Sequence, residues 1–212
     1  DKELESRGHR FVRYADDCMI FCRSRKSAER TLENILPFIE EKLFLKVNRK
    51  KTEVAHISTV KYLGYSFYRH KGKCRFRVHP KSVAKMKNRI RELTDRNKGI
   101  SNEVREKKYQ EYVRGWVEYF RLADMKKLLQ KTDEWARRRI RAVYWKQWKK
   151  IKTKCRMLKA LGLEDWKAKE LANSRKGYWR MAKVLNQIFS NKIIVKLGYT
   201  SMLDYYLVVY EN

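Results

Sequence analysis

Two adjacent carboxylates, Asp16 and Asp17, stand at a break between two apolar runs, Phe11-Val12 and Cys18-Met19-Ile20-Phe21-Cys22. That arrangement predicts strand, tight turn, strand across residues 10–22, with the acids at the turn. The second run is continuously apolar, the pattern of a strand covered on both faces. Neighbouring acids repel, and burying an uncompensated carboxylate costs several kcal/mol. A divalent cation is the simplest compensation, and its simplest use is phosphoryl or nucleotidyl transfer. An ordinary hairpin with Asp at its tip accounts for the same four residues, Tyr14 to Asp17.

The charge balance narrows the choice. Among 212 residues, 53 are Lys or Arg and 24 are Asp or Glu, a formal net charge of +29. Self-repulsion of that size weakens a compact state unless a polyanion neutralises it. Nucleic acid is the expected polyanion, because 13 Tyr, 8 Phe and 6 Trp accompany the charge and offer stacking beside phosphate contacts. Cys18, Cys22, Cys74 and Cys155 form no Cys-x-x-Cys pair, so a zinc site is not expected, and buried thiols in a reducing compartment are. His56, His70 and His79 are read as structural or surface residues with no metal partner. No apolar run is long enough to span a membrane, and no signal peptide is evident.

Periodicity changes along the chain. From Lys26 to Leu43 apolar residues fall at helical spacing, with Ser24 or Ser27 as N-cap and Pro37 as an interruption that should kink the helix. Short strands are expected at 52–56, 62–68 and 74–78, with Gly72 turning the last two. After Pro80, three amphipathic stripes follow: Val83 to Leu93, Tyr109 to Phe120, and about Asp124 to Trp148. Beyond 150 the pattern breaks into short helical pieces punctuated by Gly162, Gly177 and Gly198. The expected division is 1–80, 81–150 as a three-helix bundle, and 151–212.

The order of motifs resembles one family. Tyr14-Ala15-Asp16-Asp17, a helix, Arg49-Lys50-Lys51-Thr52 and Leu63-Gly64-Tyr65 resemble the end of a reverse-transcriptase palm. Gly115-Trp116-Val117-Glu118-Tyr119-Phe120, Asp133 to Arg141 and Tyr144 to Lys150 resemble the thumb and maturase region of group II intron-encoded proteins. Arg175-Lys176-Gly177-Tyr178-Trp179-Arg180 and Leu197-Gly198-Tyr199 continue the likeness in order. The resemblance implies an α+β chain: part of a palm, antiparallel strands with a helix, then an all-α thumb and maturase region. It implies Asp16 and Asp17 as catalytic ligands of Mg²⁺, and Lys51 near the triphosphate, with Lys50 its competitor. Leu63, Gly64 and Tyr65 become the primer grip. RNA template, DNA primer and dNTP are the implied partners of the complete protein, with group II intron RNA as the splicing partner.

The family's first catalytic carboxylate and its fingers lie upstream of residue 1 in this likeness. The chain is therefore expected to be the C-terminal half of such a protein and to lack polymerase activity without a palm-and-fingers half. A bacterial cytoplasmic ribonucleoprotein, or an organellar one, is the expected setting. A protein without a His- or Cys-rich nuclease tail after Tyr210 is expected, as in shorter members of the family.

A second constellation runs from Trp135 to Lys159, with 11 Lys or Arg and no acid. Arg137, Arg138, Arg141, Trp145 and Trp148 are expected opposite an apolar stripe of Ile140, Val143 and Tyr144, so that one face packs and the other meets phosphate. Arg suits this because its planar fork pairs with phosphate and stacks on bases. Lys146, Lys149 and Lys150, with Arg175, Lys176 and Arg180 from the later motif, complete the expected RNA contacts. Trp145 and Trp148 fit either a core or a stacking platform. Gly115 sits inside a helix at a cost of about 1 kcal/mol relative to Ala, which implies close approach of a neighbouring helix or of an RNA backbone.

Overall fold

The chain folds as two units, Asp1–His79 and the residues from Pro80 on, in a computed structural model that describes residues 1–211. The first unit opens with a short helix, α1 (Lys2–Ser6). Strands β1 (Arg10–Tyr14) and β2 (Asp17–Phe21) then pair antiparallel, with Tyr14 opposite Asp17. Ala15 and Asp16 are left as a two-residue loop, and Ala15 takes φ +49°. A left-handed residue matches the twist of a tight hairpin, at a cost of about 1 kcal/mol for a side chain other than Gly.

Helix α2 (Arg25–Pro37) starts where Ser24 caps it, its side chain accepting from the Ser27 N–H. The α-helix ends at Pro37, and the next turn is π-type, closed by the Leu43 N–H on the Phe38 carbonyl at 3.2 Å. Proline lacks the N–H that would continue the ladder, so the helix loosens there. Strands β3 (Tyr65–His70) and β4 (Lys73–Val78) form a second hairpin around Lys71 and Gly72, both with positive φ, the backbone of a type I′ turn. The strand expected at 52–56 is absent: the segment is an irregular connection, because no partner strand lies beside it to accept its ladder bonds.

In this unit the buried apolar residues are Leu4, Ile35, Leu36 and Val78. Both sheets are two-stranded, and the faces of β1 and β2 are largely uncovered. That corrects two expectations. The run 18–22 is not a doubly covered strand, and the cysteines, though free, are exposed or half-buried. For the run and for Cys18, Cys22 and Cys74 the physical reason is shared: a lone hairpin has no second layer against which to bury either face.

The second unit is all helix: α3 (Pro80–Leu93), α4 (Asn102–Tyr119), α5 (Lys126–Gln147), α6 (Ile151–Ala160), α7 (Asp165–Ala172), α8 (Tyr178–Val184), α9 (Asn191–Lys196) and α10 (Met202–Glu211). Ser101 caps α4 on the Val104 N–H and Ser190 caps α9 on the Ile193 N–H. Helix α5 is central. It packs against α3, α8 and α10, and α10 also packs against α4. The core gathers Met86 and Ile90 from α3, Val113 and Val117 from α4, and Leu129 and Ile140 from α5.

Two long-range contacts tie later helices to α5 and to the end of α3. Asp133 receives the N-terminus of α10, accepting from Ser201 Oγ and from the Met202 and Leu203 N–H groups, each at 2.9 Å. Arg105, fully buried, donates Nη1 to the carbonyls of Leu93 and Asp95 and so satisfies the C-terminus of α3. Gly115 meets no heavy atom within 4 Å of a would-be Cβ. The expectation of close helix packing there is therefore wrong: Gly115 lies on the outer face of α4, away from its neighbours.

Candidate functional site

The carboxylate turn is open. Asp16 and Asp17 are both exposed. Among the described residues neither makes an ion pair or a side-chain hydrogen bond. Arg13, the nearest cation in sequence, is committed elsewhere. Its Nε and Nη2 donate to Asp1 at 2.8 and 2.6 Å, and its Nη1 donates to the Ala15 carbonyl at 3.3 Å. Two oxygen-donor groups thus remain uncompensated in a chain of charge +29. No His, Cys, Asp or Glu joins them in a group of three among the described residues.

The turn at 62–65 lies within electrostatic reach. Tyr62 and Tyr65 exchange backbone hydrogen bonds at 3.0 and 2.9 Å, and Leu63 and Gly64 between them both take positive φ. The Tyr62 phenol is pushed up first by burial, then by the negative charge of Cys18 and Asp17. Its hydroxyl is buried without a hydrogen-bond partner. Tyr62, the first residue of that turn, therefore lies within electrostatic range of Asp17. Lys51 is exposed on a turn closed by its own N–H and that of Thr52 on the Asn48 carbonyl. It makes no ion pair with Asp16 or Asp17 among the described residues.

On the helical unit the expected cationic face divides. Arg141 is buried, with 3% of its surface exposed, which corrects its expected place among the RNA contacts. Its Nε donates to the Phe189 carbonyl and its Nη2 to Asn191 Oδ1, both at 2.7 Å. Burial, then the charge of Arg137, brings its guanidinium down to about 10. Trp145 and Trp148, 2% and 6% exposed, are core, and Trp148 stacks on Phe189. The reason is the position of α5. Residues 140–145 are buried all round because helices cover it on several sides, so no solvent face exists there.

The other cations stay near the surface. Lys149, Lys150, Arg175, Lys176 and Arg180 are exposed, Arg137 is half-buried, and Lys146 hydrogen-bonds Asn97. Arg138 donates Nε and Nη2 to the Trp179 carbonyl at 3.2 and 3.0 Å, and its guanidinium lies 4.0 Å from the Trp179 ring centre. That contact brings the 175–180 segment against α5. Arg96, stacked on Tyr178, and Arg139, bonded to Thr94 and lying over Trp135, belong to the same surface. Sequence reading passed over these two, and only their density among aromatics hinted at them.

Comparison with known families accounts for both units. Residues 1–67 match the family model for reverse transcriptase (RNA-dependent DNA polymerase), and residues 83–162 match the group II intron maturase-specific domain. The chain belongs to the group II intron reverse transcriptase/maturase family. No curated protein matches it. The carboxylate turn and the 62–65 turn fall in the reverse-transcriptase match, and Arg137 to Lys150 fall in the maturase-specific match. The Tyr178-Trp179 segment lies beyond it. An intron-encoded reverse transcriptase/maturase thus carries, in the order expected, the end of a palm and a basic helical region. No helix of the described residues is long and apolar enough to cross a membrane.

Proposed function

We propose that Asp16 and Asp17 supply two acids of a divalent-metal site for RNA-directed DNA synthesis, and that the helical unit holds group II intron RNA. The observation that carries the first part is the pair of open carboxylates: in a chain with 53 Lys and Arg, neither is taken by a cation among the described residues. Hard oxygen donors left exposed and unpaired fit Mg²⁺. Such an ion, when bound, favours the ionised form of a primer 3′ hydroxyl and steadies leaving pyrophosphate. Asp16 and Asp17 hold and orient it. The turn through Leu63, Gly64 and Tyr65 positions the primer end. Lys51, exposed and unpaired with the acids, is available to triphosphate.

For the RNA-holding part, the support is the exposed set Lys149, Lys150, Arg175, Lys176 and Arg180 on a chain of charge +29. Two acids do not complete a two-metal site, so a third must come from a palm-and-fingers half. Primer extension on an RNA template with Mg²⁺, for this chain alone and for the chain joined to such a half, tests this. Extension is expected only from the joined protein. Asp16→Asn should abolish it while leaving intron-RNA affinity nearly unchanged. Extension by the chain alone overturns the incompleteness, and extension that survives Asp16→Asn overturns the role of the acids.

A further inference from the structure

Tyr178 and Trp179 are adjacent aromatics on a helical surface, 41% and 42% exposed, where large apolar side chains are normally covered. Each is stacked by a guanidinium from another part of the unit: Arg138 at 4.0 Å from the Trp179 ring centre, Arg96 at 5.0 Å from that of Tyr178. Arg138 is locked in place by its two bonds to the Trp179 carbonyl, so the arginine–indole layer is preorganised rather than a chance surface contact. Arg175, Lys176 and Arg180 flank the pair and are all exposed. Beside it Arg139 lies between Thr94 and the Arg91 carbonyl, its guanidinium brought down by burial and then by the charges of Arg91 and Arg96. Asp95 is the acid acting on that group, and its carboxylate already accepts from the Asn97 N–H. Cations are thus crowded around open aromatic rings with little acid to neutralise them.

We propose that Tyr178 and Trp179, backed by Arg96 and Arg138, form a stacking platform for unpaired RNA bases. Duplex RNA hides its base faces, and phosphate contacts alone would not need exposed rings. Splayed bases stack on aromatic and guanidinium planes while flanking cations hold the backbone. The platform deepens the RNA-holding reading above and rests on it. Its two rings lie outside residues 83–162, where the maturase-specific match falls, and its two arginines lie inside.

The test compares binding of a short unpaired oligoribonucleotide and a blunt RNA duplex of the same length to the full chain across salt. Trp179→Ala keeps the carbonyl that Arg138 binds and removes only the ring. It should weaken unpaired-RNA binding by about tenfold, leave duplex binding within about twofold, and leave the salt slope unchanged, since no charge is lost. Tyr178→Ala should act in the same sense, and Trp179→Phe should restore most of the affinity. Unchanged affinity, or equal losses on both RNAs, overturns the platform. Joint replacement of Arg175, Lys176 and Arg180 by Gln should weaken both RNAs. If it does while the aromatic variants match the unaltered chain, the platform alone fails. If the unaltered chain binds neither RNA, the RNA-holding reading fails with it.

Discussion

Asp133→Ala should strongly destabilise the helical unit. Asp133 is 3% exposed and accepts three bonds at 2.9 Å from Ser201 Oγ and the Met202 and Leu203 N–H groups. Ser201 Oγ in turn accepts from the Asp204 N–H at 3.2 Å, so one carboxylate organises the whole first turn of α10. A bond to a charged acceptor contributes about 1.5–3 kcal/mol net, and stranding a buried partner group costs a similar amount. The three bonds share one carboxylate and are not additive. Loss of about 4 kcal/mol is the expected total, above the value of one such bond and below the sum of three. With a urea slope of about 2 kcal/mol per molar, the unfolding midpoint should fall by about 2 M, read by circular dichroism. Asp133→Asn retains one acceptor oxygen and should cost about half as much. A loss under about 1 kcal/mol for the Ala variant would refute the reasoning. Burial holds the Asp133 carboxyl above its usual range, against the pull of its three donors and Arg137. The folded chain therefore binds that proton more tightly than the unfolded one. Its share of stability is complete below the ordinary carboxylate pKa and fades as pH rises through the raised value. The stability gap between the unaltered protein and Asp133→Asn, which cannot titrate, should widen as pH is lowered toward that range.

Two further outcomes separate structure from RNA contact. Arg141→Ala should cost about 1–3 kcal/mol of stability by stranding the Phe189 carbonyl and Asn191, yet leave the salt slope of RNA binding unchanged in folded protein. Replacing Arg175, Lys176 and Arg180 should do the reverse, with stability held and the slope shallower by about 2. Gly115→Ala should raise stability by about 1 kcal/mol, because the position is helical and a methyl meets nothing within 4 Å. If RNA passes close to that face, the same change lowers affinity, and a binding assay on the stabilised variant reads it.

Local signals were legible in the sequence and tertiary ones were not. The Asp hairpin, the Ser24 cap, the Gly72 turn and the helices after Pro80 are each encoded within a few residues, and each is found where the pattern puts it. The burial of Arg141, Trp145 and Trp148 is not. It depends on Phe189 and Asn191, nearly fifty residues away, and on helices that cover α5 from more than one side. The pairing of Arg138 with Trp179, 41 residues apart, was hidden for the same reason. The uncovered faces of β1 and β2 mislead in the opposite direction. Their apolar run reads as buried, but a two-stranded sheet offers no layer to bury it. Open carboxylates fall in that same hairpin, so their exposure could not be inferred from the apolar residues around them.

The proposed grip on intron RNA is through phosphate, on the cationic helical surface that follows the reverse-transcriptase palm end. The affinity of the 212-residue chain for a folded group II intron RNA, measured across salt, tests it most directly. Five exposed contacts at Lys149, Lys150, Arg175, Lys176 and Arg180 give an expected log–log slope of about −4. A slope near zero, or no binding at low salt, would contradict it.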